Sequence, residues 1–228
     1  TPTMTKTLIK GGTIISMDRK TGDFAKGDIL VNGSEIEKIG KSIRSPGAKV
    51  IDATGMIVMP GFVNAHLHTW QTGIRGVAGN WSIPEYLHQM HATIAPRYTA
   101  KDTYLGNLVG ALNQINLGAT TIFDWCHNNS TPAHSDAGVR GLQESGIRAL
   151  FGHGSPKPDA AKGARHFSEI PHPRNELERL RNNVLSNDDA LVTLAMSALG
   201  VDFSTWEVVE HDFRLAKELD LIISTHVW

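Results

Sequence analysis

The sequence predicts an α/β fold, and three observations favour a parallel β/α barrel within that class. Five short apolar segments alternate with amphipathic segments from residue 62 onward. The apolar segments are hydrophobic at nearly every position, which is typical of parallel strands that are covered on both faces. The first segment ends in Ala65-His66-Leu67-His68, whereas a doubly wound sheet, the competing architecture, usually has a glycine-rich phosphate turn there. Two histidines at the carboxyl end of a strand suit the active face of a barrel.

Residues 1–60 read as a separate set of short strands and turns. Strand candidates at 8–15, 28–32, 35–39 and 50–52 are bounded by Gly, Pro or Ser, and Gly11-Gly12 interrupts the first. Residues 56–59 and Pro60-Gly61 close this segment. We therefore predict two domains, a small β-sandwich or part of one in residues 1–60 and a barrel portion in residues 61–228.

The second domain alternates strands and helices. Its strand candidates are 62–65, 120–123, 148–151, 191–195 and 221–224. Thr99 with Asp102, and Ser204 with Glu207, resemble capping boxes at the start of two helices. Apolar residues at helical spacing follow each box: Leu105, Leu108, Val109, Leu112 and Ile115 in the first helix, and Trp206, Val209, Phe213 and Ala216 in the second. Two shorter helices are expected at 135–145 and 174–185, and 152–173 is expected to be a long loop.

Composition excludes several function classes. The 228 residues carry 22 Lys+Arg and 23 Asp+Glu, and the isoelectric point is near 6.8, so there is no basic excess for an electrostatically driven nucleic-acid binder. No apolar run approaches the length that spans a bilayer, and residues 1–10 lack the apolar core of a signal peptide. The lone Cys126 cannot form an internal disulfide. We expect a cytoplasmic protein that binds neither nucleic acid nor membrane.

Eleven histidines direct attention to metal binding. His66 and His68 are two residues apart, so on a strand they point to the same side. His226 ends another apolar strand candidate in the equivalent position. Three imidazoles at strand carboxyl ends can bind one divalent ion. Zinc is the default for such a site, and iron is the alternative because imidazole also suits it.

The stretch 55–68 resembles the first barrel strand of the metal-dependent amidohydrolase superfamily, in particular its cytosine deaminase, guanine deaminase and triazine chlorohydrolase branch. The likeness continues through 73–76, 117–121, 145–149 and Ser224-Thr225-His226. It implies a distorted (β/α)8 barrel, of which strands 1–5 are present here, flanked by a small β-sandwich. It also implies that His66, His68 and His226 are ligands of one metal. The catalytic acid and the ligand Asp of that family would lie beyond residue 228, so the catalytic residues of this chain stay unknown.

Several polar and aromatic residues near the strand ends are candidates for substrate contact. Gln71 matches the position where relatives similar to guanine deaminase use a Gln, and Arg75 has a planar group that could grip a polar edge. His127 and His153 follow the second and third barrel strands. Trp125 could form an aromatic wall for a planar ring, and Trp228 shares the strand face of His226. His88, His91 and His211 are expected to be surface or packing residues.

The leading hypothesis is a metal-dependent hydrolase that cleaves a C–N bond of a small, N-heterocyclic substrate. Chlorohydrolase-type C–Cl cleavage, amide hydrolysis and a non-catalytic assembly or binding protein with the same fold are the alternatives. A barrel needs about 250 residues, so we expect residues 1–228 to be roughly half of a longer polypeptide, or to be completed by a second chain. The resemblance further implies a homo-oligomer.

Overall fold

The computed structural model describes residues 6–227 and divides the chain into two compact units, Thr1–Gly61 and Phe62–Trp228. No helix among the described residues is long and apolar enough to cross a membrane.

The first unit contains one mixed sheet of five strands. They are β1 (Lys6–Ile14), β2 (Phe24–Asn32), β3 (Glu35–Gly40), β4 (Lys49–Asp52) and β5 (Ile57–Val58). The order is β3-β2-β1-β4, with β2 antiparallel to β1 and to β3, while β4 and β5 pair with β1 in parallel. A β-bulge falls at the predicted interruption, where Gly11 has a φ of 79° and its N–H donates to buried Asp28. Each strand expected in this segment lies in or overlaps an observed strand.

The second unit is a mixed α/β structure built on a curled, half-barrel sheet of five parallel strands. They are β6 (Phe62–Leu67), β7 (Ala119–Cys126), β8 (Arg148–Gly154), β9 (Val192–Ala198) and β10 (Ile222–Thr225). Their order in the sheet follows the chain. All five strands expected from the apolar segments are present, and each extends further at the carboxyl end than expected.

Helices connect these strands. They are α1 (Ile83–Tyr86), α2 (Ala100–Asn116), α3 (Pro132–Ser145), α4 (Arg174–Asn182) and α5 (Trp206–Glu218). Two short 3₁₀ segments, Thr69–Ile74 and Ala95–Arg97, and a π-helical segment, Leu87–Ile94, lie between β6 and α2. A third 3₁₀ segment, Phe167–Glu169, lies in the long loop after β8.

The capping box at Thr99 is confirmed, whereas the one at Ser204 is wrong. Asp102 accepts from the Thr99 N–H at 2.8 Å, and the Thr99 hydroxyl accepts from the Asp102 N–H. In α5 the capping position is Thr205, because the Ser204 hydroxyl donates instead to the Gly200 carbonyl at 2.7 Å. The side chain of Ser204 is therefore used by the turn that precedes the helix.

The apolar stripe expected to bury α2 is exposed in the described structure. Leu105, Val109, Leu112 and Ile115 are each at least 40% exposed. The buried face consists of small and polar residues: Thr103, Gly106, Asn107, Gly110 and Ala111. The helix packs on segment 69–74 and on α3 through this face. The absent side chains of Gly106 and Gly110 allow close approach to segment 69–74. A hydrophobicity pattern could not indicate this, because it ranks leucine above glycine. In α5, similarly, Trp206 and Phe213 are exposed while Val209 and Ala216 are buried.

Candidate metal centre

The three histidines singled out in the sequence lie together. One ring nitrogen from each of His66, His68 and His226 falls within 4.8 Å of the other two. The Nε2 atoms of His66 and His226 are 3.2 Å apart, although 160 positions separate them in the chain. β6 and β10 are the two outermost strands of the parallel sheet, so the curl of the sheet turns the histidine side chains at their carboxyl ends toward one point.

A local irregularity in β6 sets the direction of His66. The ladder between β6 and β7 shifts register between Asn64 and Leu67, and the Asn64 side-chain oxygen accepts from the His66 N–H at 3.2 Å. Bulges of this kind redirect side chains and are frequent next to functional sites. The placement of His66 beside His68 therefore depends on this irregularity in β6 as well as on the alternation of side chains along a regular strand.

His68 is held by a neighbouring strand. Its Nδ1 lies 2.7 Å from the backbone carbonyl of Trp125. Because a carbonyl can only accept, Nδ1 carries the proton and Nε2 keeps its lone pair for a ligand. Burial lowers the pKa of His68 to about 4. Burial likewise lowers the pKa of His226 to about 4, and the charge of His66 adds to that effect. Both imidazoles are therefore neutral near pH 7, which is the form that binds a metal.

A buried carboxylate supports the residue that follows His68. Asp124 accepts from the Thr69 N–H at 3.1 Å and from the Asn107 side-chain amide at 2.9 Å. Burial raises the pKa of Asp124 to about 6 in spite of these hydrogen bonds. Asp124 and Trp125 are adjacent at the carboxyl end of β7. This strand end therefore holds both the His68 ring, through the Trp125 carbonyl, and the Thr69 N–H, through Asp124.

A cavity of about 360 Å³ opens beside the histidines. His68 and His226 form part of its wall, and aromatic side chains form much of the rest: Trp81, Tyr86, Trp125 and Phe203. The Trp125 ring centroid is 4.4 Å from that of His226 and 5.7 Å from that of His68. A mostly apolar wall with a few polar groups is the usual make-up of a small-molecule site.

Two further histidines line this cavity. His127 accepts a hydrogen bond from Trp70 Nε1 at 2.9 Å, and its ring lies 4.3 Å from the His68 ring in a stacked arrangement. Burial depresses the pKa of His127 strongly. His91, expected from the sequence to be a surface or packing residue, is 3% exposed and lies 4.2 Å from His127, ring to ring. It belongs to the π-helical segment, a geometry that often marks functional sites and that the sequence did not indicate.

Lys157 is a further cavity residue that the sequence analysis did not single out, as are Tyr86, Leu199 and Phe203. Lys157 is 8% exposed, and its Nζ lies 5.1 Å from the centroid of the Trp125 ring. Burial lowers the pKa of Lys157 to about 7. Its place in Ser155-Pro156-Lys157-Pro158, directly after β8, was an available signal, since loops at that end of a barrel carry function.

The candidate substrate contacts divide into three groups. Trp125 and His127 line the cavity, and Gln71 donates to the hydroxyl of the lining residue Tyr86 at 2.7 Å. Arg75 and His153 are not among the described residues that line the cavity. Arg75 is exposed beside a different groove, and His153 is buried against His172. Trp228 lies outside the described residues. Cys126 is a buried free thiol.

Two known proteins with sequences similar to this chain are deaminases. The chain is 36% identical over 154 residues to the 5-methylthioadenosine/S-adenosylhomocysteine deaminase of Symbiobacterium thermophilum. It is 32% identical over 151 residues to the 5'-deoxyadenosine deaminase of Methanosarcina mazei. Each match covers 66% of this chain and 34% of the relative. No protein-family model matches the chain.

Solved structures share the fold. The structure superposes on the zinc complex of atrazine chlorohydrolase from Arthrobacter aurescens with a TM-score of 0.80 and 21% identity. That match covers 97% of this chain and 53% of the chlorohydrolase. The chain therefore spans about a third of the curated relatives and about half of this structural neighbour.

Proposed function

Since the chain belongs to the metal-dependent amidohydrolase superfamily, we propose that it forms part of a hydrolase that cleaves a C–N bond of a small N-heterocyclic substrate. The observation that carries this proposal is the convergence of His66, His68 and His226 on one point. Relatives at 32% and 36% identity are deaminases of adenosine derivatives, which supports deamination as the reaction.

The donor set fits one divalent cation, with zinc favoured and iron as the alternative. The nitrogens of His66 and His226 face each other at 3.2 Å, a separation at which two lone pairs repel unless a shared cation or proton lies between them. The zinc complex of a structural neighbour supports the choice of zinc. When bound, such a cation supplies hydroxide near neutral pH, because it lowers the pKa of its bound water to about 7.

The residues of the chain would hold and orient the substrate. The Trp125 indole offers a flat wall beside the histidines, against which a planar ring can stack. His127 is fixed by Trp70 through Nδ1, so its Nε2 is left to donate a hydrogen bond to a ring heteroatom. Gln71 would act through Tyr86, which it contacts. The apolar remainder of the cavity wall would exclude bulk water during the reaction.

The wider architecture belongs to the same proposal. We propose that residues 61–228 supply five β/α units of a distorted (β/α)8 barrel, and that residues 1–60 belong to a flanking β-sandwich. The outer strands β6 and β10 expose Phe62, Val63 and Ile222, which supports further strands beyond them from the same or a second polypeptide. Assembly as a homo-oligomer and a cytoplasmic location, which the free thiol of Cys126 would suit, remain parts of the proposal.

Dechlorination is a second candidate, because the chlorohydrolase neighbour superposes closely. Deamination and dechlorination share the attacking water and differ in the leaving group, so the products separate them. A non-catalytic protein with this fold would carry out neither deamination nor dechlorination.

The test is product analysis on the full-length protein. Ammonia release is measured with 5'-deoxyadenosine and 5-methylthioadenosine, and chloride release with atrazine. Deamination predicts ammonia release that is lost in His66→Ala and in chelator-treated protein, and kept in the exposed-site control His88→Ala. Release of chloride without ammonia would favour dechlorination. If the protein released neither ammonia nor chloride, the non-catalytic alternative would be supported.

A further inference from the structure

The cavity contains one cation that the proposed chemistry does not use. Lys157 lies in the loop after β8 and is 8% exposed, with its ammonium over the Trp125 ring. Among the described residues no carboxylate lies within ion-pair distance of it. The nearest acid in sequence, Asp159, pairs instead with His88 at 3.3 Å on the surface.

Burial of a lone ammonium is unfavourable, because the cation loses most of its hydration. Only close anions or hydrogen bonds can compensate for the lost hydration energy. The Trp125 ring compensates in part through a cation–π contact. Burial accordingly lowers the pKa of Lys157 to about 7. Leucine or methionine would fill this space without the cost of burying an amine, so Lys157 indicates a partner that is present when the cavity is occupied.

The charge of the cavity indicates the sign of that partner. Among the described residues that line it there is no carboxylate, and burial keeps His68, His91, His127 and His226 neutral near pH 7, so Lys157 is the lining group that can carry a charge. A divalent cation at the histidines would add further positive charge close to Trp125, whose ring contacts His226 on one side of the cavity. A ligand that brings negative charge would therefore be bound more tightly than a neutral ligand of the same shape.

We propose that Lys157 forms an anion-binding subsite, so that the ligand of this cavity is a planar heterocycle whose anionic oxygen group, such as a carboxylate, pairs with Lys157 while the ring lies against Trp125. The identity of this ligand as a substrate rests on the proposed function, whereas the charge preference does not. Pairing with an anion would restore the electrostatic stabilisation that Lys157 loses on burial.

Nicotinate and nicotinamide are suitable probes, because they share one ring and differ in a carboxylate and a neutral amide. Their dissociation constants are measured by calorimetry on the full-length protein, both with its metal and after chelation. The variants are Lys157→Met and Lys157→Gln, with Lys162→Met as the control, since Lys162 is an exposed lysine in the same loop.

We expect the unaltered protein to bind nicotinate at least about tenfold more tightly than nicotinamide. Lys157→Met and Lys157→Gln should abolish this preference, and Lys162→Met should keep it. The preference should survive removal of the metal. Equal affinities in the unaltered protein, or a preference that persists in folded Lys157 variants, would overturn the subsite. A preference that disappears on chelation would also overturn it, because the carboxylate would then be bound to the metal.

The two proposals fail in different ways. If the full-length protein holds no metal and releases no ammonia, the proposed hydrolase is wrong, yet the comparison of nicotinate with nicotinamide can still be made. If the Lys157 variants do not fold, the comparison in the unaltered, metal-free protein decides the subsite. Equal weakening of both probes by Lys157→Met would point to packing and would contradict the pairing.

Discussion

The Nδ1 atom of His68 lies 2.7 Å from the backbone carbonyl oxygen of Trp125. This contact joins the loop after β6 to the end of β7, and it selects the tautomer of the imidazole. Metal-ligating histidines commonly donate their second N–H in this way, which fixes the ring and raises its basicity. The relationship therefore links the sheet register to the chemistry proposed for the site.

The tautomer of His68 can be observed directly. We expect Nδ1 to carry the proton in both metal-free and metal-loaded full-length protein, because the Trp125 carbonyl accepts it in either state. Nitrogen chemical shifts of labelled histidine, assigned with His68→Gln, measure this. A metal-free protein with the proton on Nε2 would contradict the hydrogen bond seen here.

Asp124 is expected to support the metal site without touching it. Asp124→Ala removes the acceptor of the Thr69 N–H and of the Asn107 amide, so the backbone after His68 loses its anchor. Loss of such a partner commonly weakens metal affinity by about 10–100-fold. Competition with a chromophoric chelator measures this affinity.

The matched control for Asp124 is Asp189→Ala, which alters an exposed carboxylate far along the chain. It should leave the metal affinity unchanged. Equal affinities for Asp124→Ala and the unaltered protein would show that the carboxylate does not position His68.

The contact between α2 and segment 69–74 should tolerate no side chain at Gly106. A Cβ there would lie 2.5 Å from the backbone carbonyl oxygen of Trp70, and a backbone atom cannot yield as a flexible side chain can. Overpacking of this kind costs about 1–3 kcal/mol, which exceeds the helix-propensity gain of at most about 1 kcal/mol from Gly→Ala. Chemical denaturation of Gly106→Ala should therefore show lower stability.

Asn113→Ala is the control on the same helix, since Asn113 is exposed. It should change the free energy of unfolding by no more than about 0.5 kcal/mol. If Gly106→Ala were as stable as this control, the close packing of α2 on Trp70 would be wrong.

Acid should destabilise the protein partly through His153. Burial lowers the pKa of His153 from 6.5 to about 3, and among the described residues neither ring nitrogen has a hydrogen-bond partner. As the pH falls below 6.5 the unfolded chain takes up a proton that the folded chain refuses, so stability falls between pH 6.5 and 3. At pH 5 this amounts to about 2 kcal/mol.

His153→Leu should remove that part of the acid sensitivity, and it should cost little stability at pH 7.5 because it breaks no side-chain hydrogen bond among the described residues. Urea denaturation at pH 7.5 and pH 5 measures both effects, with His88→Leu as an exposed-site control. An unchanged difference between the two pH values in His153→Leu would contradict the account.

The sequence was sufficient to predict the parts of the fold that depend on local pattern. The five parallel strands have continuous apolar character, and the Thr99 box places the start of α2 correctly. The buried face of α2 was not predictable in this way, because Gly106 and Gly110 contribute by the absence of a side chain. Ser204 failed as a cap since a competing carbonyl, that of Gly200, lies within reach.

The residues of the site also differ in whether local sequence pattern could predict them. His66 and His68 are two residues apart, so strand alternation predicts their proximity, although the irregularity between Asn64 and Leu67 also directs His66. His226 could be paired with them through its strand-end position. His91 and Lys157 reach the cavity from a π-helical segment and a long loop, whose paths depend on tertiary contacts. The sequence places Lys157 in a loop directly after a barrel strand, but it carries no information on the long-range contacts that bring Lys157 and His91 to the cavity.

The metal content of the full-length protein tests the central claim most directly. Elemental analysis should find about one divalent ion per chain in the unaltered protein and in His88→Ala. The double variant His66→Ala with His226→Ala should retain less than about a tenth of an equivalent, since one remaining imidazole cannot hold the ion. A metal-free unaltered protein after supplementation with zinc or iron, or a double variant that keeps its full equivalent, would contradict the proposed centre.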